Sequence, residues 1–294
     1  MATNTLHITV RTGAAIAVAT LVATLYAFGP DAGAAVTPDG SAAAARSTAD
    51  AGLACPLRLP ATLPARVRVV PILMYHRIKV VTASTPAITR QLTVHPAVFA
   101  RQMSWLKRHG YHAITQRRLF DALMCGRPLP RRPILITFDD GYRDNYVNAS
   151  PVIARLGMRA TAYVITGRIS NGDPSFLTWL QLRRLELRGV EIGSHTVSHR
   201  SLTSLSTTQA WTELVRSRRV LERRLGHRVP WLAYPIGAYD TRIERLARRA
   251  GYLLAVTTVH GTRHSARRPF ALPRLRVLNS MGVQGLAAML RRST

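Results

Sequence analysis

From residue 66 onward the chain alternates two kinds of apolar pattern. Short β-branched runs are followed by longer stretches in which apolar side chains recur every three or four positions, and a glycine closes most of these stretches. Residues 67–75, 111–115, 134–138, 161–166, 190–193, 231–234 and 252–258 read as strands. Phe99, Met103 and Leu106 share one helical face ahead of Gly110, and 118–124, 146–156, 179–188 and 241–250 also read as helices. Ser206 and Gln209 have the spacing of a capping box and open a long helix holding Trp211, Leu214, Leu221 and Leu225, which ends at Gly226. Residues 261–273 read as a polar, basic loop, 275–278 as a last strand and 283–290 as a last helix. Strands alternating with helices over roughly 220 residues predict an α/β fold with a parallel sheet or barrel, in one domain.

The first 65 residues follow other rules. Arg11 precedes an uncharged run, 13–28, dominated by Ala, Val, Leu and Ile; Pro30, Asp31 and Gly33 follow, then the small Ala34 and Ala35. That order is expected of a signal peptide, and an uncleaved membrane anchor has the same hydropathy, so 1–35 is assigned to one or the other. Residues 36–65 are rich in Ala, Gly, Ser, Thr, Asp and Pro without a sustained apolar period and read as a flexible linker, with order beginning near Arg66. Either way the expectation is export, to a secreted form or to the outer face of the cytoplasmic membrane within the cell envelope. Cys55 and Cys125 are the only cysteines. An oxidising compartment would let them pair; two free buried thiols are the alternative the sequence leaves open.

Charge changes the choice of partners. The formal net charge is +27, and of 41 basic side chains only Lys79 and Lys107 are not Arg. Such a charge suits nucleic acid. Here the arginines scatter through every predicted helix instead of forming one block, so no nucleic-acid partner is expected. Anionic cell-surface polymers match an exported protein better, and membrane contact is expected only through the N-terminal segment. An apolar content of 47% is enough for a sizeable core.

Two strand ends carry the chemistry. The run 134–138 stops at Asp139 and Asp140, followed by Gly141. Adjacent carboxylates repel and resist burial unless a cation or hydrogen-bond donors compensate them; an Asp that caps the next helix is the plain alternative. The run 190–193 stops ahead of His195 and His199, whose i, i+4 spacing would set both rings on one side of a helical turn, as two imidazoles sharing a metal require. In a β/α fold the C-terminal strand ends form one face, where active sites collect. One carboxylate with His195 and His199 makes a three-ligand site with open positions, and the second carboxylate is free to act as a base. A Zn-type ion lowers the pKa of its bound water to about 7, so the expected chemistry is metal-assisted hydrolysis. His76 ends the first strand as a general acid or as a core-edge histidine. Residues 232–239, with aromatics, a Pro and a Gly, form a pocket wall or an ordinary turn.

Thr137-Phe-Asp-Asp-Gly-Tyr142, Ser194-His-Thr-Val-Ser-His199 and Ala233-Tyr-Pro-Ile-Gly-Ala-Tyr239 resemble, in order, the first three motifs of the polysaccharide deacetylase (NodB-homology, carbohydrate esterase 4) family, over about 132–294. Leu73-Met-Tyr-His-Arg77 resembles the subgroup that removes N-acetyl groups from the biofilm polymer poly-β-1,6-N-acetylglucosamine. The resemblance implies a distorted (β/α) barrel of the NodB-homology type over 66–294. It implies Asp139 as catalytic base, Asp140, His195 and His199 as metal ligands, and His76 as the acid that protonates the leaving amine. The wider family takes that acid from a late Leu-x-His motif, which is missing here; His260 and His264 lie in the right region but the wrong context. The wider family also carries an Arg two residues before the third motif's proline. Here that position is Ala233, as the biofilm subgroup tends to have it, and the group that orients Asp139 is left open. Tyr142, Tyr234 and Pro235 are candidates for substrate contact, and a backbone amide near Tyr234 for the oxyanion. Trp179 is a candidate sugar platform, against a core role for its indole.

The implied protein is an exported polysaccharide N-deacetylase, a hydrolase of linear amides with a divalent metal, Zn2+ by expectation and Co2+ or Ni2+ acceptable to the same ligands. The expected substrate is the N-acetylglucosamine of a poly-N-acetylglucosamine-like surface polymer; peptidoglycan and chitin oligomers share its acetamide. Two other classes are weighed. A non-catalytic polysaccharide-binding protein of the cell surface would keep the fold without needing all four intact Asp and His residues. Non-haem Fe(II) chemistry uses two histidines and a carboxylate, but generally needs an open iron face rather than a spare carboxylate base.

Overall fold

The computed structural model describes residues 55–293, so the expected signal or anchor segment, 1–35, and the linker up to residue 54 lie outside the described residues. In chain order the strands are β1 (Val67–Val69), β2 (Ile72–Tyr75), β3 (Arg77–Ile78), β4 (Thr93–Val94), β5 (His112–Ala113), β6 (Pro133–Phe138), β7 (Ala160–Val164), β8 (Val190–Ser194), β9 (Trp231–Ala233), β10 (Leu254–His260), β11 (Arg263–Ser265) and β12 (Leu272–Arg276). β2, β6, β7, β8, β9, β10 and β12 follow one another around a closed, all-parallel barrel, with β12 returning to pair with β2. β5 lies parallel to the first two residues of β6. Beside the barrel, β1 and β11 pair antiparallel and β3 pairs with β4. Helices Pro96–Arg108, Trp179–Leu187, Thr207–Leu225 and Thr241–Arg249 fall close to their expected bounds. Ser206 and Gln209 exchange both capping-box hydrogen bonds, and Gly226 ends that helix in the left-handed conformation.

Alternation along the strands sorts side chains between the barrel interior and the helix layer. Leu73, Tyr75, Ile136, Phe138, Ala162, Val164, Ile192 and Leu275 join helix residues such as Phe99, Leu182 and Leu286 in one cluster. The alternate positions, Ile72, Leu135, Tyr163, Trp231, Ala233, Leu254, Val256 and Leu272, form a second. The same parity carries Thr137 and Asp139 to the interior side of β6, and Arg274 and Arg276 to that of β12. Gly193 takes an interior position on β8, where a Cβ would meet the Tyr163 ring at 2.4 Å; the phenol fills the space a side chain would need.

Two expectations change. Packing begins upstream of Arg66: Cys55 is buried and disulfide-bonded to Cys125, and Leu57, Leu59 and Leu63 lie against the interior cluster. These leucines are too few to make a period, so 55–65 resembles linker in sequence. Bridging 70 positions contributes about 4 kcal/mol in the chain-entropy account. The expected loop 261–273 also holds structure. It contains β11, with His264 buried and its Nε2 2.7 Å from the Val70 carbonyl, and β12 starts at Leu272 rather than 275. Pro273 sits inside β12 although proline cannot donate to a ladder.

Candidate active site

β6 delivers both acids to the C-terminal mouth of the barrel. Asp140 (φ 71°) and Gly141 (φ 80°) then turn the chain left-handed, and a Cβ on Gly141 would lie 2.9 Å from the Val164 side chain. The turn sends the two carboxylates to different partners. Asp139 is 2% exposed and receives a fork from Arg274: Nη1 donates to Oδ1 at 2.8 Å and Nη2 to Oδ2 at 2.7 Å. Arg274 is itself held by Nη1 to Thr137 Oγ1 and Nε to the Thr257 carbonyl. Burial alone would push Asp139 up; the Arg274 charge and its hydrogen bonds outweigh it and hold the carboxyl well below the usual range.

Asp140 turns to the histidines. Its Oδ1 lies 3.5 Å from His195 Nε2 and 3.4 Å from His199 Nε2, and one ligand atom from each of the three residues falls within 4.8 Å of the others. His195 Nδ1 sits 2.8 Å from the Ala233 carbonyl, which requires a proton there and leaves the Nε2 lone pair facing a carboxylate oxygen. Burial pushes Asp140 up, opposed by His195 and reinforced by the Asp139 charge, and burial lowers both histidines. A lone pair on His195 facing a buried carboxylate, with His199 Nε2 beside it, makes a donor set that fits a divalent ion. The ring pair is not built on a helical turn, as the spacing suggested. Residues 195–199 form an irregular turn in which Thr196 (φ 67°) and His199 (φ 62°) are left-handed, and the rings meet edge to face with centroids 4.7 Å apart. Of the five described non-glycine residues at positive φ, Asp140, Thr196, His199 and Ile236 surround this centre, where backbone strain accompanies function.

His76, Asp139, Asp140, His195, His199, Tyr234, Ile236 and Arg276 share one cavity of about 370 Å³. Burial pushes His76 down to about 4, opposed by Asp139 and assisted by Arg274 and Arg276; its Nδ1 is buried with no partner. Tyr234 lines the cavity but is fully buried and stacked on Tyr239, and its amide donates to the Val256 carbonyl, so it is not available to an oxyanion. Pro235 is buried and opens a tight turn that holds Ile236 at φ 52° and 65% exposed. Tyr142 stacks on Phe176 under Arg77, and from outside the cavity its hydroxyl helps to hold the Asp140 carboxyl down against burial. Trp179 does not line the cavity; it packs on the helix-layer core beneath Arg224.

Arg274 is the site residue that sequence reasoning missed. Its signal was the spacing Leu272-Pro-Arg-Leu-Arg276, in which both arginines take the parity of Leu272, hidden by a chain in which arginine is everywhere.

A family model described as polysaccharide deacetylase matches residues 126–255, a span that holds Asp139, Asp140, His195 and His199 but neither His76 nor Arg274. YxkH of Bacillus subtilis (strain 168), whose name assigns it to polysaccharide deacetylases, is 33% identical over 217 residues, 74% of each chain. A poly-beta-1,6-N-acetyl-D-glucosamine N-deacetylase of Staphylococcus aureus (strain MRSA252) is 23% identical over 201 residues, 61% of this chain and 68% of that one. Among solved structures, the Streptococcus pyogenes deacetylase PplD in complex with acetate superposes with a TM-score of 0.71 at 31% identity, covering 76% of this chain and 99% of that one.

Proposed function

Because this chain belongs to the polysaccharide deacetylase family and is an N-deacetylase, we propose that it uses a divalent metal to remove acetyl groups from N-acetylglucosamine units of a poly-N-acetylglucosamine-like surface polymer. One observation carries the reading: a clamped carboxylate, Asp139, stands beside the convergent Asp140, His195 and His199 in the cavity that also holds His76. The S. aureus relative's name supports the choice of polymer.

Asp140, His195 and His199 would hold the metal, Zn2+ by preference, and Co2+ or Ni2+ suit the same donors. When bound it supplies Lewis acidity, raising the acidity of the attacking water and stabilising negative charge on the acetamide oxygen. Arg274 keeps Asp139 ionised and therefore ready to accept a proton, but also makes it a weak base, which is why the site needs the ion's help. Asp139 takes the proton from the attacking water. His76 is neutral in the resting site, so it first receives the proton that Asp139 has taken from the water, and then passes it to the amine nitrogen as the C–N bond breaks and acetate leaves. The Ile236 amide lies in the first residues of a tight turn, where amides lack internal partners, and is the donor best placed for the developing oxyanion.

An exported location is supported by the Cys55–Cys125 disulfide, which suits an oxidising compartment, and by the uncharged run 13–28. Among the described residues no helix is long and apolar enough to cross a membrane.

The test is acetate release from N-acetylglucosamine oligomers after chelation and after return of Zn2+ or Co2+. Activity should vanish and recover with the metal, and Asp139→Asn should lower kcat by about 10^3-fold while metal still binds. Full activity in that variant would sink the mechanism.

A further inference from the structure

Arg274 and Arg276 fall on the same side of β12, one alternation apart toward the mouth. Arg274 is taken by Asp139. The Arg276 side chain reaches the catalytic cavity, is exposed, and makes no hydrogen bond or ion pair with any described residue. The carboxylates lining that cavity are Asp139, neutralised by Arg274, and Asp140, aimed at the two histidines. No other acidic side chain lines the cavity, so Arg276 is the positive charge that it turns toward a polymer. A metal ion held there adds to the same sign.

The reaction itself changes the polymer's charge. Each turnover replaces a neutral acetamide by an amine of the kind that is protonated at neutral pH. We propose that Arg276 is a specificity-determining residue that rejects a glucosamine, carried as its ammonium, in the position flanking the reacting N-acetylglucosamine. Neutral or anionic neighbours are accepted. The inference rests on the N-deacetylase reading above. Its consequence is a self-limiting product: each amine formed protects the adjoining units, and glucosamine ends up dispersed rather than in blocks. Two unit charges about 6 Å apart at an effective dielectric of about 40 change a rate ratio about tenfold.

The experiment compares two N-acetylglucosamine oligomers of equal length, one fully acetylated and one with a single glucosamine beside the unit to be cleaved, using the metal-loaded full chain. The ratio of kcat/KM for the two substrates should be tenfold or more in the wild type. Arg276→Gln should shrink it about tenfold, mainly through KM for the charged oligomer, and Arg276→Lys should restore it because the charge returns. Raising NaCl to about 0.5 M should shrink the ratio in the wild type without any substitution. A wild-type ratio near one, or a ratio that neither Arg276→Gln nor salt moves, overturns the inference and leaves the deacetylase reading standing. No acetate from either oligomer overturns both.

Discussion

Asp139 and Glu191 both occupy strand positions whose parity points into the barrel, one at each end. At the mouth, Asp139 meets a guanidinium and is held ionised. At the opposite end, Glu191 Oε2 accepts from the Gln116 amide at 2.6 Å and Oε1 from the Arg117 amide at 3.4 Å, at the start of helix Gln116–Met124. Those amides only partly offset burial, which pushes Glu191 up to about 7. Backbone dipoles solvate a buried acid without fixing its charge, whereas a forked cation fixes it. The end that holds the candidate active site has the cation. The end that only joins a helix to the barrel floor tolerates an acid that is half protonated at neutral pH.

Breaking the clamp should have the largest effect. Arg274→Gln leaves Asp139 buried and unpaired, and should cost about 3–5 kcal/mol in chemical denaturation together with most of the acetate release. Adding Asp139→Asn to that variant should return part of the stability, since the stranded charge goes with it. An Arg274→Gln protein that unfolds like the wild type would mean the fork is not what holds the acid.

His76 sharpens the same contrast, because the mouth keeps it neutral rather than charged. Replacement by Asn should lower kcat by about 10^2-fold. Its pKa is pushed down to about 4, so it carries no stored proton at neutral pH and should produce no limb in the wild-type kcat/KM profile between pH 5 and 8. A limb in that window that disappears in the Asn variant would contradict the assignment.

Glu191 gives the smallest effect, with a sign opposite to that of Asp139. Its folded pKa lies above the ordinary 4.5, so the folded protein binds the extra proton and stability declines as pH rises from about 4.5 to about 7. A cleft lined by Glu191 and Trp231 lets water reach the group, so the decline should be on the order of 2 kcal/mol rather than the full shift. Asp139, depressed instead, contributes stability throughout that range and loses it only at strongly acid pH. Melting temperatures across pH 4.5–8 should therefore slope downward in the wild type and flatten in Glu191→Gln. An unchanged slope would remove Glu191 as the cause.

Most of the barrel was legible because each buried strand is a short apolar run and each helix carries its own period. The cluster of Asp140, His195 and His199 was legible because Asp140 and His195 follow strand ends by two residues and one, and His199 lies four positions further on. The rest depended on information that local pattern does not carry. Arg274 differs from its many fellow arginines only by the parity of a strand whose start was obscured by Pro273. The left-handed turn that joins His195 and His199 is set by packing, not by their i, i+4 spacing. Trp179 looked like a sugar platform because an indole suits both a ring and a core, and only its neighbours decide.

The seam between β12 and β2, where Leu275 pairs with Leu73, joins the last barrel strand in chain order to the first. It brings in His76 from one side and Arg274 from the other, 135 positions after the aspartate that Arg274 clamps. Asp140, His195 and His199 are thus all present once the turn after β8 is made, whereas Asp139 lacks its fork until β12 is in place. The clamped acid is therefore completed only by the last barrel strand, and a chain whose ring is still open leaves Asp139 without its guanidinium.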